Sequence, residues 1–249
     1  MKKLILCLLL LPVTLLAQTQ PLRVAVAANA QFVMEQLKTA FQKKTGIQVE
    51  SIVNSSGKLT TQIQQGAPYD VFLSADMEYP QTLHKHGLTV AAPIVYAYGS
   101  LVLWTLSDLP LTADLKVLSD PAVRHVAMAN PATAPYGEAA VSFLKSQKLL
   151  DLVQPKIVYG ESIAQVNQYI LSGAAEIGFT AKSVVLDPGL AKRGHWIDLP
   201  TTGYSPIAQG VVVLKRTSLT KEARQFMEFL RSPAARRILQ QFGYRSANI

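Results

Sequence analysis

Short apolar runs alternate with segments of helical periodicity in the first third of the chain. The run at residues 22–28 is continuous and rich in valine and alanine, which predicts a buried strand. Residues 31–46 have apolar positions at helical spacing, lysines near their end and a final glycine, so we expect a helix there. Two further predicted strands, 47–53 and 70–75, flank a short helix at 58–66. Strands alternating with helices across short connections predict a parallel, doubly wound sheet.

The same alternation returns in the second half of the chain. Apolar runs predict strands at 123–129, 155–159 and 175–181, and helical periodicity predicts helices between them at 137–149 and 162–173. A second mainly parallel sheet therefore follows the first. Ligands of such sheets bind outside the carboxyl ends of the strands, where the helices begin.

Two long β-rich segments, 92–106 and 203–216, separate these two blocks and suggest that the chain crosses into a second lobe and returns. We predict an α/β, two-lobe fold in which each lobe is a mainly parallel sheet flanked by helices, with two crossover strands. Lobe one is predicted to take residues 18–98 and 206–249, and lobe two residues 99–205.

The chain begins in the manner of a secretory signal peptide, residues 1–17. Two lysines precede an apolar run that is too short to span a bilayer, and a small residue follows at Ala17. We expect cleavage after Ala17 and export to the periplasm. The only cysteine of the chain, Cys7, would be removed with this segment, so the mature protein would have no disulfide and no thiolate chemistry.

The charge of the chain favours an anionic partner. Its 24 lysines and arginines exceed its 16 aspartates and glutamates, which gives a net charge of +8 and attracts anions by electrostatic steering. The basic residues are scattered and are not interleaved with aromatic residues, so we expect no nucleic-acid binding.

The turns that follow the predicted strands carry neutral polar residues. Asn29 follows the first strand, Ser56 the second, and Tyr136 lies in the turn after residue 129. Each turn precedes a helix, and the N–H groups at a helix N-terminus favour an anion. Neutral donors suit a fully ionised small oxyanion, which has no proton to give to a carboxylate. Serine and asparagine are also preferred helix caps, so plain capping is the alternative at each turn.

Motifs for nucleotide, hydrolytic or metal chemistry are incomplete. Ile52 stands where a P-loop needs its first glycine, and Leu59 stands where it needs a hydroxyl. The Gly-x-Ser-x-Gly elbow of serine hydrolases is absent. His84 and His86 are two residues apart on a predicted helix and therefore point in different directions. We expect no metal site.

Two aspartates, Asp70 and Asp76, are candidates for acid–base chemistry, but the surrounding sequence does not support this role. A partner carboxylate at a defined spacing is missing from the sequence around them. We therefore expect Asp76 to cap the helix that follows it and Asp70 to border a buried strand. The prediction is a protein that is not an enzyme and has no catalytic residue.

Four stretches spread over the mature chain resemble the periplasmic molybdate-binding proteins (ModA) of ABC transporters, which belong to the type II periplasmic-binding-protein family. These stretches are VAVAANAQFVMEQL, SSGKLTTQIQQGAPYDVFLSAD, NPATAPYGEAA and FLRSPAARRILQQFGY. The resemblance implies that the two lobes close by a hinge on molybdate or tungstate. It also implies delivery of this anion to a membrane permease, with no cofactor, and we expect a monomer.

The resemblance also implies an oxyanion site of five residues: Ala28, Asn29, Ser56, Tyr136 and Ile163. Ile163 would contribute its backbone N–H. Many members of the family also have a binding tyrosine near position 181, where this chain has Ala181. We expect the Tyr136 hydroxyl to replace it from a different loop.

Three alternatives stay open at this point. The first keeps the fold but changes the ligand to another oxyanion, such as sulfate, or to an organic anion. A monoprotonated phosphate is disfavoured because the candidate turn residues Asn29, Ser56 and Tyr136 include no carboxylate to accept its proton. The second alternative is a secreted hydrolase, and the third is the effector module of a transcription regulator.

Overall fold

The computed structural model describes residues 20–247, and the predicted signal peptide lies outside this range. In chain order, its strands are β1 (Leu22–Ala27), β2 (Val49–Asn54), β3 (Val71–Ser74), β4 (Ile94–Gly99), β5 (Leu101–Thr105), β6 (Val126–Ala129), β7 (Ile157–Gly160), β8 (Ile177–Ala181), β9 (His195–Asp198), β10 (Ile207–Val213) and β11 (Arg245–Ser246). Its α-helices are α1 (Gln31–Thr45), α2 (Ser56–Gln64), α3 (Glu78–Lys85), α4 (Pro135–Ser146), α5 (Leu150–Val153), α6 (Ile163–Leu171), α7 (Lys182–Val185), α8 (Thr220–Leu230) and α9 (Pro233–Gln241). Over these residues, none of the helices has the length and apolar character needed to cross a membrane.

The strands form two sheets. The first has six strands in the order β11-β4-β10-β3-β1-β2, and the second has five in the order β7-β6-β8-β5-β9. Strands β2, β1 and β3 are parallel neighbours, as are β7, β6 and β8. Strands β10 and β5 join these parallel groups in the antiparallel direction and pair with further antiparallel strands. The predicted α/β, two-lobe fold is confirmed, but both sheets are mixed rather than mainly parallel.

Strands β5 and β10, which run against the parallel strands beside them, are the first strands after the two crossovers. The long predicted strand at 92–106 is broken at Ser100 into β4, which belongs to the first sheet, and β5, which belongs to the second. The chain returns to the first sheet in β10. A crossover strand arrives from the other sheet without a preceding helix, so it has no reason to run parallel to its new neighbours. The limits of the two lobes stay a prediction.

Helix α1 shows how the sequence produces these elements. Its residues Val33, Met34, Leu37 and Phe41 recur at helical spacing, are buried, and share a core with the first sheet. The helix ends at Gly46, whose φ of 75° is a left-handed conformation that glycine adopts without a steric penalty. Both the start and the end of this helix agree with the prediction to within one residue.

Candidate anion-binding site

All five predicted site residues line one small cavity between the two sheets. Its walls are Ala27, Ala28, Asn29, Ser55, Ser56, Ala75, Ala134, Pro135, Tyr136 and Ile163. About 10 Å³ of this cavity is open to the centre of a water molecule, which is about the space that a single water molecule needs. The wall residues lie at the carboxyl ends of parallel strands of the two sheets or in the turns and helix starts that follow them.

Several helix N-termini converge on this cavity. Ser56 is the first residue of α2, Ile163 is the first residue of α6, and Tyr136 is the second residue of α4. Asn29 lies in a short 3-10 helix after β1. The first N–H groups of a helix have no partner inside that helix and carry a partial positive charge, which together make an anion site. The fold therefore brings together turns that are far apart in the sequence.

The capping alternative fails for Ser56 because a neighbouring residue performs that role. Ser55 is the cap of α2 and accepts from the N–H of Lys58 at 3.4 Å. The hydroxyl oxygen of Ser56 instead accepts from the N–H of Ala75 at 3.0 Å. A hydroxyl that accepts one bond keeps its own proton to donate. Ser56 can therefore donate both this proton and its backbone N–H.

Asn29 is held from behind by its side chain. Its amide nitrogen donates to Oε1 of Gln209 at 2.8 Å and to the hydroxyl of Tyr244 at 2.9 Å. Its backbone carbonyl accepts from the hydroxyl of Ser183 at 2.7 Å. Both amide protons are thus engaged away from the cavity, and Asn29 has its backbone N–H left to offer a ligand.

Tyr136 lies in the cavity wall and keeps its hydroxyl proton. Only 2% of the residue is exposed, and burial raises the pKa of its hydroxyl well above the usual value of 10. The group therefore stays protonated at any physiological pH. Gly99, at the first crossover, makes room for it, since a Cβ atom there would overlap the Tyr136 hydroxyl. Ala181 is fully buried at the end of β8 and is not part of the cavity wall.

A larger neighbouring pocket carries the opposite electrostatic character. It measures about 160 Å³, shares Ala75 and Pro135 with the small cavity, and is lined by the carboxylates of Asp76, Glu78 and Glu138. Three carboxylates would repel an anion, so the small neutral cavity is the candidate site. This acidic cluster was not predictable from the sequence, because Glu138 approaches from the other lobe.

Asp76 itself behaves partly as expected. Its carboxylate accepts from the N–H of Tyr79 at 3.2 Å, in the first turn of α3, which is the predicted capping interaction. It also accepts from the hydroxyl of Ser74 at 2.9 Å. Burial, helped by the nearby Glu78 and Glu138, nevertheless raises the pKa of Asp76 from 3.8 to about 6, against the lowering effect of these two bonds.

The two lobes touch directly beside the cavity. The N–H of Gly57 on α2 donates to the carbonyl of Thr133 at 2.9 Å, and Lys58 forms an ion pair with Glu161. A Cβ atom on Gly57 would lie 3.0 Å from the backbone of Thr133. These contacts describe a closed cleft. Among residues 20–247, histidines, cysteines and carboxylates form no group of three that could hold a metal ion.

Comparison with known proteins agrees with this picture. The sequence profile of the bacterial extracellular solute-binding protein family matches residues 22–245. The chain is 38% identical to the molybdate-binding protein ModA of Azotobacter vinelandii, over 92% of this chain and 91% of that protein. It is 36% identical to ModA of Rhodobacter capsulatus, over 88% of this chain and 86% of that protein.

A solved structure gives the same result in three dimensions. The periplasmic molybdate-binding protein of Azotobacter vinelandii superposes with a TM-score of 0.87 at 36% identity, over 91% of this chain and 100% of that one. A match of this extent covers both sheets and the crossovers between them. The chain belongs to the family of bacterial extracellular solute-binding proteins.

Proposed function

We propose that this protein captures molybdate, and also tungstate, in the cavity between its lobes and delivers the anion to an ABC permease. The observation that carries the proposal is the convergence of helix N-termini and neutral hydroxyl donors on one cavity that contains no carboxylate. The relatives that are 36–38% identical to this chain are named as molybdate-binding proteins, which supports molybdate over other oxyanions.

Each of the two sheets contributes two segments to the proposed ligand set. From the first sheet come the turn Ala28–Asn29 and Ser56, and from the second come Tyr136 and the backbone N–H of Ile163. Hydrogen bonds to a charged group contribute about 1.5–3 kcal/mol each. Six or seven such bonds, after the cost of ordering and of stripping water from the anion, leave roughly 8 kcal/mol or more, which is a micromolar or tighter dissociation constant.

Selectivity follows from two properties of the cavity. It offers donors and no carboxylate acceptor, so a protonated anion would bring a hydrogen that finds no partner. Sulfate is fully ionised as well, and it would be rejected by size. Donors that fit the larger molybdate ion lie too far from the oxygens of the smaller one.

The remaining parts of the proposal concern the setting in which the protein works. Residues 1–17 would direct export and be cleaved, so that the mature protein acts in the periplasm. There it would work as a monomer, closing by a hinge between its lobes. Its role is binding and transfer to the permease, without catalysis and without a cofactor.

Calorimetric titration of the mature protein, dialysed free of anions, tests the proposal. Molybdate, tungstate, sulfate and phosphate are titrated in turn at the same ionic strength. We expect one-to-one binding of the first two and no heat from the others. Tight sulfate binding would mean that the site selects a smaller anion. No binding of any of the four anions would refute an inorganic oxyanion as the ligand.

A further inference from the structure

We infer that Gln209 is a positioning residue that holds the two anion-binding turns of the first lobe at a fixed separation, although it does not touch the cavity. This inference rests on the proposed function of the cavity and deepens it. It assigns the selectivity of the site to a side chain in the crossover strand β10, which the motifs of the site do not include.

Gln209 is placed and bonded as a structural clamp. It is fully buried and lies where the pairing of β10 with β4 shifts register, between Gln209 and Gly210. Its Nε2 donates to the carbonyl of Ala75 at 3.1 Å and to the carbonyl of Ile207 at 3.1 Å. Its Oε1 accepts from the side chain of Asn29 at 2.8 Å. Both ends of the amide are therefore used, which is what a buried polar group requires.

These bonds connect Gln209 to both turns of the site. The bond to Asn29 reaches the first turn directly. The bond to the carbonyl of Ala75 reaches the second turn indirectly, because the N–H of Ala75 donates to the hydroxyl oxygen of Ser56 at 3.0 Å. One side chain thus fixes the distance between the donor groups of Asn29 and Ser56.

A second clamp completes the support of Asn29. The hydroxyl of Tyr244 accepts from the Asn29 side chain at 2.9 Å and lies 3.2 Å from the Asn29 carbonyl, to which it donates. Burial raises the pKa of Tyr244 to about 12, so this hydroxyl keeps its proton. Ser183, in the second lobe, donates to the same carbonyl. Asn29 is consequently held by three residues, through its side chain by Gln209, through its carbonyl by Ser183, and through both by Tyr244.

Hydrogen-bond donors that are held rigidly discriminate between anions by size, whereas mobile donors adjust their positions to fit anions of different sizes. A preorganised site gains affinity because its groups are already in place, and it loses that gain when its support is removed. Loss of the Gln209 amide should therefore weaken molybdate binding and at the same time reduce the preference for molybdate over sulfate. A defect in folding alone would lower the active fraction and leave this preference unchanged.

The test compares Gln209→Met, which keeps the volume and removes the hydrogen bonds, with a matched control. Thr105→Val is suitable because Thr105 is also fully buried and bonded to backbone, at the carbonyl of Glu176 (2.5 Å), in the second lobe. We expect Gln209→Met to raise the molybdate dissociation constant at least tenfold. The ratio of the sulfate to the molybdate dissociation constant, with sulfate measured by its displacement of molybdate at high concentration, should become smaller by a similar factor. Equal ratios in both variants and the wild type would overturn the inference.

A second readout needs no ligand. Amide hydrogen exchange of the anion-free protein should become faster around Asn29 and Ala75 in Gln209→Met, and stay unchanged there in Thr105→Val. Tyr244→Phe, which removes a single oxygen atom, should accelerate exchange around Asn29 alone and provides a milder variant if Gln209→Met folds poorly. Unchanged exchange in both variants would refute positioning, whereas faster exchange in a protein that binds no oxyanion would refute only the proposed function.

Discussion

A substitution at Gly57 should distinguish the contribution of this residue to closure of the two lobes from its contribution to the stability of the fold. It is the second residue of α2, it faces the other lobe, and its N–H donates to the carbonyl of Thr133 at 2.9 Å. A Cβ atom added there would lie 2.8 Å from the hydroxyl of Tyr79 and 3.0 Å from the Cα and carbonyl oxygen of Thr133. The tyrosine can rotate away, but the backbone of Thr133 can yield only if the lobes move apart.

Gly57→Ala should therefore have opposite effects on affinity and stability. Separating the lobes weakens the Gly57–Thr133 hydrogen bond, which is worth about 0.5–1.5 kcal/mol, and loosens the contacts around it. We expect molybdate affinity to fall about tenfold, equivalent to about 1.4 kcal/mol. In the anion-free protein, alanine in place of glycine inside a helix adds up to about 1 kcal/mol of stability.

The assay is a pair of measurements on one protein preparation. Calorimetry gives the dissociation constant for molybdate, and thermal unfolding without anion gives the stability. Gln64→Ala is the control, because Gln64 is an exposed residue of the same helix and its replacement favours the helix without approaching the other lobe. Wild-type affinity in Gly57→Ala would show that the Gly57–Thr133 contact is not part of the bound state, and the closed-cleft reasoning would be wrong.

Three further predictions concern the donors, the acidic pocket and the ion pair across the cleft. Ser56→Ala and Tyr136→Phe should each weaken molybdate binding tenfold or more, because each removes a charge-assisted bond worth about 1.5–3 kcal/mol; wild-type affinity by calorimetry would remove that residue from the site. The pKa of Asp76 is raised to about 6, so the stability that its protonated form contributes is present below about pH 4 and lost as the pH rises through about 6. Asp76→Asn should therefore raise the free energy of unfolding by about 1–3 kcal/mol near pH 7.5 and leave it unchanged near pH 4; denaturant titrations that give equal gains at both pH values would contradict this. Lys58→Gln and Glu161→Gln should each weaken molybdate binding by at most about fivefold, as expected of an exposed ion pair. The double variant should weaken binding no more than the stronger single variant does. Additive losses of affinity in this double-mutant cycle would show that the ion pair does not couple the lobes.

The regular elements of the fold were largely predictable from the sequence. Helix α1 and strands β1 to β3 have strong local periodicity, and their predicted limits agree closely with the structure. Strand β9 was missed because its four residues alternate too briefly to be distinguished from a loop. It exists because it pairs with β5, for example Trp196 with Trp104. Such pairing joins segments that are distant in the chain and leaves no local pattern.

The site was predictable in part. The turns after the strands pointed to Asn29, Ser56 and Tyr136, and the resemblance to a known family added Ala28 and Ile163. The sequence could not say which of two adjacent serines caps α2, since both are good caps. The N–H of Ala75 decides this by bonding to Ser56. Gln209 had one weak signal, a polar residue inside an otherwise apolar strand.

The sequence by itself determined where helices and strands lie and which turns offer donors, because hydrophobic periodicity and turn chemistry are properties of neighbouring residues. Only the tertiary structure decided the direction of the crossover strands, the meeting of Asp76 with Glu138, and the bonds that hold Asn29 in place. Each of these depends on contacts between residues dozens of positions apart, and such contacts form only when the two sheets and the crossovers between them are assembled.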